Sequence, residues 1–99
     1  MKVRLLAPAV VEFREAVAWY RDTAPAAAEA FIQEIRTARD RIVEHPHAWH
    51  KLGDNTRRFR LRRFPYGVIY AVEPEAIVIL AIAHLHREPE YWRDRLRRG

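Results

Sequence analysis

The spacing of apolar positions changes period once along the chain, and that change divides it into two kinds of structure. Lys2–Leu6 (KVRLL) alternates weakly and predicts a short first strand. Pro8 then falls near a first helical position, where its missing N–H costs nothing. Phe13, Ala16, Val17 and Tyr20 follow at i, i+3, i+4 and i+7, one face of an amphipathic helix. Asp22-Thr23-Ala24-Pro25 interrupts it and starts a second helix, with Ala27, Phe31, Ile35, Ala38 and Ile42 on one face. Glu29, Gln33, Glu34, Arg36, Arg39, Asp40 and Arg41 occupy the other. His45-Pro46 ends the helix, because the residue before proline resists the α conformation.

From there the period shortens towards two. His47 to Thr56 reads as a loop, with Gly53-Asp54-Asn55 as turn residues. Arg57 to Phe64 alternates, placing Phe59 and Leu61 on one face and Arg58, Arg60 and Arg62 on the other. Pro65-Tyr66-Gly67 turns, Val68 to Val72 forms the next strand, and Glu73-Pro74-Glu75 turns again. Ala76 to His84 is the last and most buried strand, and Pro89 to Leu96 a short closing helix. Short connections make the last three strands an antiparallel meander. The expected fold is α+β in two layers: a helical hairpin on one face of a small, mainly antiparallel sheet, in the order β-α-α-β-β-β-α. The whole chain, residues 1–99, forms one domain, with no repeat or linker.

Composition sharpens this picture in three places. A chain of 99 residues has a thin core, yet 49% hydrophobic residues exclude a disordered protein. The longest apolar run, Ala76 to Ala83, is well short of the roughly 20 residues that cross a bilayer. The basic start MKVRLLAPAV is too short for a signal peptide. With no cysteine there is no disulfide and no thiolate metal site, in keeping with a reducing cytoplasm. The net charge of +5 is carried almost wholly by arginine, since Lys2 and Lys51 are the only lysines. Arginine's planar fork suits carboxylates and phosphates, so an acidic protein or a nucleic acid is the expected partner.

Two clusters could carry chemistry. Arg57, Arg58, Arg60, Arg62 and Arg63 form the densest positive charge, with no acid among them. On a strand, Arg58, Arg60 and Arg62 repeat at about 6.5 Å, near the spacing of phosphates on one nucleic-acid strand. Such a row is either an electropositive floor for a target or a solvated face that keeps an edge from pairing. The second cluster is His84, His86 and Arg87 at the exit of the last strand, with Tyr91 nearby. Histidine can exchange a proton with a ribose hydroxyl and arginine can stabilise a pentavalent phosphate, so a metal-free ribonuclease site is one reading. A polar strand end that holds the final helix is the other. Two histidines make a weak metal signal, and His45, His47 and His50 read as loop histidines; no metal or cofactor is expected. Trp19-Tyr20 and Tyr91-Trp92 read as packing pairs, or as a stacking platform if a ring lies exposed beside the arginines.

The ordered segments AVVEFREAVAWY at 9–20, AEAF at 28–31, His45-Pro46, Arg57-Arg58-Phe59, Phe64-Pro65-Tyr66, Ile69-Tyr70 and HLHREPEYWRDR at 84–95 resemble the RelE/ParE superfamily of bacterial type II toxins. The resemblance spans nearly the whole chain, and the superfamily's strand and helix order is the one read above. It implies a small basic toxin neutralised by an acidic antitoxin encoded beside it. RelE-like members cut messenger RNA on the ribosome, and by that likeness His84, His86, Arg87 and Tyr91 would be catalytic, with the arginine row facing RNA. ParE-like members poison DNA gyrase and are not nucleases. The ending H-x-H-R-x-P-x-Y-W-x-x-R and the helical hairpin look more like the ParE-like, plasmid-stabilisation branch. A non-toxic basic binding module is the third reading.

Overall fold

The computed structural model describes residues 1–98. Strand β1 (Lys2–Leu5) leads into helix α1 (Ala7–Thr23), which holds Pro8 in its first turn, where the N–H has no intrahelical partner. Only Ala24 separates α1 from helix α2 (Pro25–Glu44). Its N–H donates to the Tyr20 carbonyl (2.6 Å) and its own carbonyl accepts from Ala27 (2.8 Å), so one residue closes one helix and opens the next. A link that short forces the hairpin. Strands β2 (His50–Lys51), β3 (Thr56–Arg60), β4 (Tyr66–Val72) and β5 (Ala76–His84) complete a sheet of order β1-β5-β4-β3-β2. β1 runs parallel to β5, and every other pair is antiparallel.

Both helices cover one face. Ala9, Ala16 and Val17 of α1 and Phe31, Ala38 and Ile42 of α2 pack on Val68, Tyr70, Ile77, Ile79 and Ile82. Phe31 sits among the rings of Phe13, Tyr20, Phe64 and Tyr66 at centroid distances of 5.2–6.1 Å. The opposite face is also covered. Trp92, only 6% exposed, packs on Ile69, Ala71, Val78, Leu80, Ala81 and Ala83, with Leu6, Leu52 and Tyr91 at the margin. Burial on both faces is why β4 and β5 read as nearly unbroken apolar runs.

Four expectations need correction. The loop after α2 contains the two-residue strand β2, paired with β3. The strand expected to reach Phe64 stops at Arg60, so Arg62 does not share a strand face with Arg58 and Arg60; it lies with Arg63 in the turn before β4. The cause is Glu34 of α2, whose Oε2 accepts the Arg62 and Arg63 N–H groups at 2.7 and 3.2 Å and pulls the chain off the sheet. β4 begins at Tyr66, which was expected in the turn. Finally, the closing segment is not an α-helix. Glu88–Tyr91 is a turn with Pro89 second and Glu90 third, at φ 64°, and a 3-10 helix follows at Arg93–Arg98.

A candidate site at the exit of strand β5

The pairing of β4 with β5 slips once. Ile69 opposes Ala81 while Tyr70 opposes Ile79, which leaves Leu80 without a partner. This bulge reverses the alternation of every residue after it. Ile77 and Ile79 face the helices; past the bulge it is Ile82, and with it His84, that faces that side. The His84 ring therefore lies 5.0 Å from Tyr66, edge to face, on the helical side of the sheet. His84 and His86 do come together, with ring centroids 5.0 Å apart. The His86 N–H donates to His84 Nδ1 at 3.1 Å, so a neutral His84 carries its proton on Nε2.

Around His84 opens a cleft of about 470 Å³, walled by Glu12, Glu15, Trp19, Tyr20, Pro65, Tyr66 and Arg87 among others. Trp19 is 59% exposed, the most open aromatic ring of the described residues. It meets Tyr20 edge to face at 5.1 Å. Burial raises the pKa of Tyr20 and of Tyr66, and the neighbouring Tyr20 adds to the effect at Tyr66.

The other two residues of the candidate set are held differently. Tyr91 donates its hydroxyl to Glu12 Oε2 at 2.7 Å. Its pKa is pushed far up, first by burial, then by the hydrogen bond to Glu12 and that carboxylate's charge. Arg87 lies with its guanidinium 3.9 Å from the centre of the Tyr91 ring and 3.8 Å from Glu12. Arg95 makes a two-pronged contact with Glu12, at 2.9 and 3.0 Å, and also donates to the Leu80 carbonyl at 2.9 Å. Glu12 completes the set by accepting the Ile82 N–H at 3.0 Å. β1 ends opposite Ile79, so the edge of β5 beyond it would stand bare. Glu12 and Arg95 satisfy that edge at the bulge itself.

Glu12 and Arg95 were absent from the candidates. The signal was present: Glu12 lies between Ala9 and Ala16 on the buried stripe of α1, and an acid there must be paired. Its partner, 83 residues away, is out of reach of any local pattern.

The arginine row is also divided. Arg57 points to the helical side and donates to the Trp49 carbonyl at 2.9 Å. Arg58 lies half-buried over Gly67, where a Cβ would come 3.1 Å from its side-chain carbons, and its Nε is buried without a partner. Arg63 pairs with Glu34 at 3.2 Å. Arg60 and Arg62 are exposed, meet no carboxylate among the described residues, and line a second cleft with Phe64, Pro65, Leu85 and His86. An open floor of five guanidinium groups is thus reduced to two, set beside His86. His45 follows α2, His47 lies in a turn and His50 in β2; among the described residues no three of His, Cys, Asp and Glu gather as a metal set.

A groove of about 350 Å³ opens on the helical side, lined by Leu5, Phe13, Ile32, Ile35, Val68, Ile79 and Ile82 and rimmed by Arg36 and Arg39. No helix among the described residues is long and apolar enough to cross a membrane.

A search of curated proteins finds no match. Among solved structures, the chain is similar to one described as the chromosomal ParDE TA system from P. aeruginosa, at 20% identity and a TM-score of 0.74. The match covers 87% of this chain and 97% of that one, a likeness of fold. The family model described as the ParE toxin of the type II toxin-antitoxin system, parDE, matches residues 3–89. That span takes in both helices, the sheet from Val3 onward and the exit of β5, and the chain belongs to the ParE toxin family.

Proposed function

We propose that this chain arrests growth in the cytoplasm by binding a protein target, with DNA gyrase the expected one, and that a short acidic antitoxin silences it. The observation that carries this reading is the apolar groove between the helical hairpin and the sheet. Seven apolar side chains line it and two arginines stand on its rim. An amphipathic segment with acids flanking its apolar stripe would fill it and pair with Arg36 and Arg39. β1 lies beside it with one edge unpaired, so an extended part of the same partner could add a strand there.

The state of the β5 exit favours a protein target over RNA cleavage. Tyr91 is held protonated against Glu12 and Arg87 is stacked on Tyr91, so both serve as supports. General acid-base work needs a group whose pKa lies near the working pH and which reaches the substrate, and Tyr91 is shifted far above that range.

Induced expression followed by three readouts tests the proposal. Growth should stop, plasmid supercoiling should change and the DNA-damage response should rise, while messenger RNA stays uncut. Co-expression of the acidic product of the neighbouring reading frame should restore growth. Cuts in ribosome-bound messenger RNA that vanish in the His86→Ala, Arg87→Ala double variant would instead establish the endoribonuclease reading. Unaffected growth would leave a basic binding module.

A further inference from the structure

We infer that the aromatic cleft at the exit of β5 takes an arginine side chain of the protein target, its guanidinium lying on the Trp19 ring and donating to Glu15. That the partner is the growth-arrest target rests on the reading above; that it presents a cation rests on the cleft. Glu15 and Trp19 stand one turn apart on α1 and both wall the cleft, so carboxylate and ring border the same space. Trp19 is 59% exposed. Glu15 is exposed as well and pairs with no cation among the described residues. The other acid on the wall, Glu12, is engaged by Arg95 and Arg87. Arg87 also borders the cleft, but its charge is met by Glu12 and its guanidinium lies on Tyr91. Among the carboxylates and guanidinium groups of this wall, only Glu15 is left without a partner.

The chain itself shows what fits a ring beside an acid. Arg87 lies 3.9 Å from the centre of the Tyr91 ring and 3.8 Å from Glu12, and Arg95 lies 5.1 Å from the same ring while gripping the same carboxylate. Twice, then, a guanidinium is held between an aromatic face and a carboxylate. Trp19 and Glu15 repeat the ring and the acid on an exposed surface, and tryptophan offers the strongest π face for a cation. Arginine suits the pair better than lysine, since its planar fork stacks on a ring and donates to a carboxylate at once. Ala16, Pro65 and Ile82 supply apolar wall for its methylene stem. At about 470 Å³ the cleft has the size of a ligand pocket and admits residues flanking the arginine. An acidic segment would meet Glu15 as a like charge, which separates this site from the antitoxin groove.

The test uses the full chain with the blocked arginine N-acetylargininamide and the corresponding citrulline, lysine and glutamate compounds. Proton–nitrogen NMR follows the indole N–H signals, and saturation-transfer NMR follows the ligand where Trp19 is replaced. The arginine compound should shift the Trp19 signal saturably and leave that of buried Trp92 in place. Citrulline keeps the shape without the charge and should bind several-fold more weakly, as should lysine. Trp19→Ala and Glu15→Gln should each weaken arginine binding about threefold, the scale of one exposed cation–π contact or ion pair, and the double variant about tenfold. Both positions are exposed, and circular dichroism should show the variants folded. The double variant should still capture the antitoxin in a pull-down, yet arrest growth less than the unmodified chain. Absence of a saturable shift, equal binding of the citrulline or glutamate compound, full affinity in folded Trp19→Ala, or undiminished arrest by the double variant would each overturn the inference. Growth untouched by an unmodified chain that does bind arginine would overturn the growth-arrest reading and leave the cation site standing.

Discussion

Glu12 carries more of the fold than any other polar residue described. Its side chain is 11% exposed and that of its partner Arg95 19%, so the pair is screened little by solvent. Glu12→Ala strands the Arg95 charge and leaves the Ile82 N–H without its acceptor. Breaking a largely buried pair in this way costs about 3 kcal/mol, which urea unfolding would register. Glu15→Ala, an exposed acid one turn on, should shift stability by no more than about 0.5 kcal/mol. Tyrosines give a pH signature at the same scale. Tyr70 is fully buried, its hydroxyl donating to the Pro46 carbonyl at 2.7 Å, and burial pushes its pKa up to about 12 despite the opposing charge of Arg57. A raised pKa means that the native state holds the proton more tightly than the unfolded chain. The stabilisation is therefore complete below about pH 10 and is lost as pH rises towards 12, by roughly 2 kcal/mol for this group. Tyr70→Phe should flatten that alkaline decline in a urea titration. Tyr20, Tyr66 and Tyr91 are shifted the same way and should leave part of it in place.

Among the elements, both helices and the antiparallel meander were legible because periodicity and proline punctuation are local. Pro25 and His45-Pro46 mark ends that the structure keeps. What escaped was set by distant partners. The Arg57 strand stops early because Glu34 on another element captures two of its N–H groups. His84 changes face because Leu80 bulges, and nothing in AIVILAIAH marks which residue is the extra one. The closing segment also kept a local secret: Glu90 sits at φ 64°, a conformation that costs a side-chain-bearing residue about 1 kcal/mol. Glu90→Gly should accordingly raise stability by about 0.5 kcal/mol, the rest being offset by glycine's looser unfolded state and the lost contact with Arg93. A melting temperature lowered by that substitution would show the Arg93 contact to outweigh the backbone relief.

At the scale of the molecule, two surfaces of unlike chemistry share one small core. The apolar groove and the aromatic cleft have a single wall residue in common, Ile82. With so little shared wall, neutralisation and action on a target should be separable by mutation. Ile35 is half-buried in the groove, whose lining also holds Arg36 and Arg39, so a carboxylate at that position finds cationic neighbours and the helix keeps its shape. Ile35→Glu should therefore stay folded yet repel an acidic antitoxin, whose apolar stripe would have to bury that charge. With Arg36 and Arg39 turned to that carboxylate, the antitoxin's acids lose their partners and face a like charge, a cost of roughly 3 kcal/mol that weakens binding by about two orders of magnitude. Induced Ile35→Glu should arrest growth as the unmodified chain does and no longer be rescued by the antitoxin. If rescue persists with unchanged affinity in a pull-down, the antitoxin docks elsewhere, and the unpaired edge of β1 becomes the surface to probe next.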